Sequence, residues 1–75
     1  MSGDILYYVI MFKSVNHTLW AGNVLKKAEI PHKIIPVPRK ISSDCGVCIR
    51  LDSALKDSGI ESLRGIVEYS DIREL

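Results

Sequence analysis

Two cysteines separated by two residues are the part of this sequence best equipped for chemistry. Cys45 and Cys48 enclose Gly46 and Val47, and this C-x-x-C spacing serves redox dithiols, sulfur relays and half of a zinc site. The preceding Ser42-Ser43-Asp44 run is polar and typical of a turn, not of a packed core. We therefore expect Cys45 to be accessible. For Cys48, which begins a strand-like stretch, function and simple packing as a small apolar residue are both open.

The spacing alone leaves several kinds of site open. If residues 45–48 were fully extended, the two Cα atoms would stand about 10 Å apart, which is beyond the reach of a disulfide. An internal disulfide therefore requires Gly46 to turn the chain, which glycine does at little cost. Only His17 and His32 could complete a zinc site, and neither has a familiar ligand spacing. We expect neither a metal nor another cofactor.

Several neighbours could support a thiolate at Cys45. Arg39 and Lys40 could hold an anion or stabilise the thiolate, although basic residues in an exposed hairpin are usually only solvated. His17 could act as a base or ion-pair partner, with a solvent-facing histidine as the simpler interpretation. Asp44 would disfavour the thiolate, because a neighbouring carboxylate raises the pKa of a thiol.

Hydrophobic patterning predicts the elements that position these residues within one domain, residues 1–75. The predicted elements are a buried strand over Ile5–Phe12, a helix capped by Ser14 or Asn16 and stopped by Pro31, strands over His32–Pro38 and Val47–Leu51, a short helix capped by Asp52 or Ser53 and closed by Gly59, and a last strand over Gly65–Tyr69. The apolar stripe of the first helix is predicted to run through Leu19, Trp20, Val24, Leu25 and Ala28, with Trp20 in the core.

The order β-α-β-β-α-β predicts an α+β fold, the ferredoxin-like sandwich: an antiparallel four-stranded sheet in the order 4-1-3-2 with two helices on one face. Pro36 and Pro38 independently place the second strand at an edge, because proline cannot donate to a sheet ladder. This topology predicts that Cys45 lies near the start of the first helix. The helix N-terminus carries a partial positive charge that favours a thiolate.

Composition excludes several classes of protein. Ten Lys and Arg against nine Asp and Glu give a net charge of +1, so no broad basic face is available for nucleic acid. The longest apolar run, Ile5 to Phe12, is far too short for a membrane span. No export signal is apparent at the start of the sequence, and we expect a cytoplasmic protein. A chain of 75 residues is also too small for a deep substrate cavity.

The chain resembles the small prokaryotic family of selenium/sulfur carrier-like proteins over roughly residues 6 to 69. The most specific part is Ile35 to Gly46, which matches the family's P-x-P-R-x-[I/L]-S-S-x-C-G segment with its cysteine at Cys45. Ser43, Arg39 and Gly46 belong to that segment and form, with His17, the supporting set. The family's second position of interest is often not cysteine and here is Cys48, which leaves open a dithiol version of the chemistry.

The resemblance implies a carrier more than a true enzyme. A thiolate would accept sulfur or selenium as a persulfide or selenosulfide and pass it on, with donor and acceptor enzymes as partners. The alternatives are a redox protein that cycles a Cys45–Cys48 disulfide and a non-catalytic interaction module. A homodimer, or docking on a partner enzyme, is further expected through the open sheet face. The first strand carries apolar residues on both of its faces, so either Val9 and Met11 or Ile10 and Phe12 must lie on the face that the helices do not cover.

Overall fold

An antiparallel sheet carrying two helices organises the part of the protein that the structure, a computed structural model, describes: residues 6–38 and 46–74. The elements are β1 (Tyr7–Met11), α1 (Val15–Lys27), β2 (Lys33–Pro36), β3 (Val47–Asp52), α2 (Lys56–Leu63) and β4 (Asp71–Glu74), with a 3-10 turn over Ser53–Leu55 leading into α2. The predicted α+β class and the order of strands and helices are confirmed.

The four strands lie in the order β2-β3-β1-β4, and every neighbouring pair is antiparallel. Read from the other edge, these are the neighbours that the sequence predicted. The second strand lies at an edge of the sheet, where Pro36 needs no ladder partner for a missing N–H. Met11 of β1 pairs with Cys48, and Pro36 of β2 pairs with Val47, which fixes how the chain enters β3.

One face of the sheet packs against both helices. Its buried cluster combines Ile10, Phe12, Ile49 and Leu51 with Ala21, Leu25, Leu63 and Val67. Side chains of a strand alternate between faces, so Ile10, Ile49 and Leu51 share the side on which α1 and α2 lie. The placement of both helices on one face is confirmed.

The other face carries a second, smaller core. Val9, Met11 and Cys48 are buried there, and Ile35 and Val37 pack against them. Val9 exposes none of its surface and Met11 only 2%. The expectation that an apolar set of β1 lies uncovered on this face is therefore wrong, because the set is already buried within the protomer.

Helix α1 begins at the predicted cap but turns a different side toward the sheet. The Ser14 hydroxyl accepts from the amide of His17, so Ser14 and not Asn16 is the N-cap. The buried positions are Thr18, Ala21, Gly22 and Leu25. Trp20 is 49% exposed, and its predicted place in the core is wrong.

Small residues explain this rotation of α1. A Cβ added to Gly22 would lie 3.3 Å from Cδ1 of Ile34, so the helix approaches the sheet through Ala21 and Gly22. The bulkier Leu19 and Trp20 remain half exposed beside that contact. The helix ends at Lys27, with Glu29 in a left-handed conformation at φ 60°, before the predicted stop at Pro31.

Three predictions in the C-terminal part are wrong. Gly59 does not end a helix but lies buried inside α2, where an added Cβ would be 2.6 Å from Cδ1 of Leu51. The helix is instead followed by Gly65 at φ 77°, the conformation that a C′ glycine provides. The side chain of Asp52 makes no capping hydrogen bond. The last strand is Asp71–Glu74, because residues 65–69 form the turn that returns the chain from α2 to the sheet.

Candidate thiol site

The predicted site residues divide between described and undescribed parts of the chain. Cys45, Ser43 and Arg39, together with Lys40 and Asp44, lie outside the described residues. Gly46, Cys48 and His17 are described. The described residues that bear on the site are therefore the two ends of the segment that carries Cys45 and the elements beside those ends.

A hydrogen bond joins the two ends of that segment. The Val37 amide donates to the Gly46 carbonyl at 3.1 Å, next to the last strand pair, Pro36 with Val47. Gly46 has φ 85°, and an added Cβ would meet no atom within 4 Å. Gly46 is thus required for its left-handed backbone and not for close packing. The chain turns at Gly46 and enters β3 at the next residue.

The register places this turn at the same end of the sheet as the start of α1. Met11, the last residue of β1, pairs with Cys48, so Gly46 lies two residues beyond the end of that pairing. The chain leaves β1 at this end and reaches the cap Ser14 within three residues of Met11. The unpaired first-turn amides of a helix carry a partial positive charge. An anion placed close to this first turn would therefore meet a favourable field.

His17 lies in the first turn of α1 and is tied to the cap. Its Nδ1 is 2.7 Å from the Ser14 hydroxyl oxygen, and the tautomer of the ring decides which of the two donates. The ring also lies beside the indole of Trp20, with centroids 6.4 Å apart. The structure thus places His17 at the predicted end of the helix and holds its ring by two neighbours.

Cys48 is enclosed in the core of the second face. It has no exposed surface and clusters with Val9 and Met11, against which Ile35 and Val37 pack. A thiol in such surroundings behaves as a small apolar side chain. A reagent in solution does not reach it in this conformation.

A surface cavity of about 370 Å³ beside the start of α1 was not predicted. It is lined by Lys13, His17, Trp20, Gly65, Ile66 and Glu68. The sequence held a signal for it, because the small set Thr18, Ala21, Gly22 and Leu25 also has helical spacing. Choosing that set as the buried stripe would have placed Trp20 on the surface.

Two features are absent from the described residues. Within residues 6–38 and 46–74, no three His, Cys, Asp or Glu side chains are grouped so that they could hold a metal ion. Over the same ranges, no helix combines the length and the apolar character that crossing a bilayer requires.

Comparison with known proteins identifies one family. Its sequence model, described as "Putative Se/S carrier protein-like", matches residues 7–70. The matched range contains both cysteines and all four supporting residues. Searches of curated proteins and of solved structures gave no significant match.

Proposed function

The chain belongs to the Se/S carrier protein-like family, and on this premise we propose that it carries sulfur or selenium on Cys45 as a persulfide or selenosulfide. The observation that carries the assignment to Cys45 is the burial of the other cysteine: Cys48 has no exposed surface and serves the packing of the second core. The exchange of a chalcogen requires a thiolate that a partner can reach, which leaves Cys45.

The transfer is an exchange of sulfur between thiolates. The Cys45 thiolate attacks the outer sulfur of a donor persulfide, R–S–SH; the S–S bond of the donor breaks, and R–S⁻ leaves with the bonding electron pair. The product is Cys45–S–SH, with no net oxidation or reduction. In the second half, an acceptor nucleophile attacks the outer sulfur and Cys45 leaves as a thiolate. Donor and acceptor enzymes supply both partners.

The end of the sheet where the segment closes supports a reactive thiolate. Gly46 lies at the end from which β1 runs into α1, and the helix N-terminus favours an anion nearby. Arg39 and Lys40 precede Cys45 in the sequence and add positive charge. We expect the Cys45 pKa to be below the ordinary thiol value of about 8.5, with His17 as a neighbouring base.

The fold and the location also fit a carrier. We assign the βαββαβ arrangement to the ferredoxin-like sandwich and the protein to the cytoplasm. A carrier needs a presented thiol and no deep pocket, which suits a chain of 75 residues. Self-association through the face away from the helices stays a prediction, but burial of Val9 and Met11 within the protomer removes the apolar patch that motivated it.

The alternative is a dithiol protein that cycles a Cys45–Cys48 disulfide. The left-handed turn at Gly46 favours this alternative, since an extended chain could not close the bond. Burial of Cys48 disfavours it, because an exchange partner would need the core of the second face to open. The two functions differ in whether Cys48 is required.

Intact-mass spectrometry tests the proposal. The protein is incubated with a cysteine desulfurase and either cysteine or selenocysteine, so that a persulfide or selenosulfide on the desulfurase donates its outer atom, and the added mass is located. We expect the wild type and Cys48→Ala to gain one sulfur or selenium and Cys45→Ser to gain none. An equal gain by Cys45→Ser would refute the assignment. No gain by the wild type, together with formation of a Cys45–Cys48 disulfide, would favour the dithiol alternative.

A further inference from the structure

The cavity beside the start of α1 combines opposite charges with an apolar wall. Lys13 and Glu68 line it together, and both side chains are exposed. Neither forms an ion pair, with the other or with any further group, in the part of the chain that the structure describes. The cavity therefore offers one cation and one anion that are both available to a ligand.

Another part of the cavity wall is aromatic and aliphatic. Trp20 and Ile66 both line the cavity, and each is 49% exposed. The His17 ring lies beside Trp20, its own Nδ1 bonded to the Ser14 hydroxyl. Backbone bonds from Ile66 and Val67 to the Leu63 carbonyl, at 2.9 and 3.0 Å, hold the opposite side. Both sides of the cavity are thus attached to regular structure.

We propose that this cavity binds a small α-amino acid whose side chain carries sulfur or selenium. An α-amino acid presents a carboxylate to Lys13 and an ammonium group to Glu68, and charge-assisted hydrogen bonds of this kind are the strong ones. The volume of about 370 Å³ lies within the range of small-molecule sites. A polarisable sulfur or selenium atom packs well against the indole of Trp20.

The chalcogen preference rests on the proposed function and on the location of the cavity. Lys13 follows the end of β1 by two residues, and the Ser70 amide donates to the Met11 carbonyl at 2.7 Å. The cavity therefore lies at the end of the sheet where Gly46 closes the segment that carries Cys45. A bound amino acid would lie at the end of the molecule assigned to the transfer thiol.

Trp20 provides a direct readout, since the sequence contains one tryptophan. Its fluorescence is titrated with S-methyl-L-cysteine, a thioether that cannot exchange with a thiol. The matched probes are L-norvaline, with a methylene in place of sulfur, 2-(methylthio)ethylamine, without the carboxylate, and 3-(methylthio)propanoate, without the ammonium group. We expect saturable binding of S-methyl-L-cysteine, weaker binding of norvaline, and binding about tenfold weaker or more for each singly charged probe.

Matched variants assign the response to the cavity. Lys13→Gln and Glu68→Gln should each weaken binding about tenfold or more, whereas Lys27→Gln and Glu29→Gln, exposed positions outside the cavity, should leave it unchanged. A lack of saturable change, or equal binding of the singly charged probes, would overturn the site. Equal binding of norvaline would overturn the chalcogen preference. Cys45→Ser should bind normally, so failure of sulfur loading and failure of this site are separate results.

Discussion

Cys48 shows that a cysteine of a C-x-x-C pair can be a packing residue. Cys48 takes part in the packing of Val9 and Met11, so its size matters more than its nucleophilicity. The C-x-x-C spacing could not reveal this, because the same spacing serves packed and reactive thiols. The register with Met11 supplies the missing information, since it shows which face of the sheet receives the side chain.

Removal of the Cys48 sulfur should lower stability. Cys48→Ala deletes one buried heavy atom and leaves a small cavity, so we expect the free energy of unfolding to fall by about 1 kcal/mol. Urea denaturation followed by circular dichroism measures the change. As a control, Ser58→Ala at an exposed position of α2 should change stability by less than about 0.5 kcal/mol. A Cys48→Ala variant as stable as the wild type would contradict the packing role.

Asp71 provides a pH-dependent contact in β4. A hydrogen bond from the Arg73 side chain to Oδ2, and then one from the Ile72 amide to Oδ1, both 2.8 Å, hold the pKa of this carboxyl below its ordinary value. Because the folded-state pKa is lowered, its contribution to stability is present above the unfolded pKa and is lost as pH falls through the folded pKa.

The Asp71 titration is measured by NMR of the side-chain carboxyl. We expect a midpoint below that of an ordinary aspartate, and a rise toward the ordinary value in Arg73→Gln. Arg64→Gln, which removes the partner of Glu61 instead, should leave the midpoint unchanged. Equal midpoints in the wild type and Arg73→Gln would show that the Arg73 contact does not persist in solution.

At the scale of elements, the first three strands were predicted well, whereas the last strand and the packing side of α1 were not. Strands β1 and β3 are short, β-branched and buried, and their composition alone identifies them. For α1, large apolar residues predicted one side, whereas the contact with Ile34 requires the small Gly22. Residues 65–69 resemble a strand in composition, but Gly65 and the backbone bonds to Leu63 make them a turn. Tertiary packing decides these cases, and local sequence does not contain it.

The same limit applies to the candidate site. The polar run before Cys45 and the turn at Gly46 are local features, so sequence could identify them. The burial of Cys48 and the cavity around Trp20 depend on register and on the rotation of α1. Both are non-local, and the sequence predicted neither.

The cap of α1 can be tested by a matched pair. Ser14→Ala removes the hydroxyl that accepts from the His17 amide, and we expect a loss of about 1 kcal/mol in the free energy of unfolding. Asn16→Ala, at the exposed second residue of the helix, should have little effect. A larger loss from Asn16→Ala in thermal or urea denaturation would contradict the assignment of the cap.

Gly59 tests the closest approach between α2 and the sheet. Alanine there gains up to about 1 kcal/mol of helix propensity, but its Cβ would lie 2.6 Å from Cδ1 of the buried Leu51. Overpacking of this kind typically costs 1–3 kcal/mol, so Gly59→Ala should destabilise the protein. In a double-mutant cycle, Leu51→Val, which removes Cδ1, should recover at least about 0.5 kcal/mol of that loss. Strict additivity would contradict the contact.

At the scale of the whole molecule, the sheet is buried on both faces at its centre. Val9 and Ile10 are adjacent in β1 and face opposite sides, yet neither has any exposed surface. A thin domain of this size depends on both cores. A charged side chain on either face of β1 would therefore be buried and would destabilise the protein.

Paired substitutions in β1 and at Phe12, which directly follows it, test this. We expect Val9→Lys with Met11→Lys, and separately Ile10→Lys with Phe12→Lys, to abolish the folded state. The free-energy cost of burying unpaired charges exceeds the free energy of unfolding of a small domain. Circular dichroism and NMR dispersion report the outcome. As a control, Lys13 can be replaced by Gln just beyond the strand without loss of folding. A folded Val9→Lys, Met11→Lys protein would show that the second core is dispensable.

The composition of the two edge strands determines how copies of the protein meet at high concentration. The β2 edge ends in Pro36, and it begins with Lys33. The β4 edge is Asp71–Glu74, with three charged residues in four. Proline, charge and short length all oppose the addition of a further strand. Sheet extension between copies, the first step toward fibrils, is thus disfavoured at both edges.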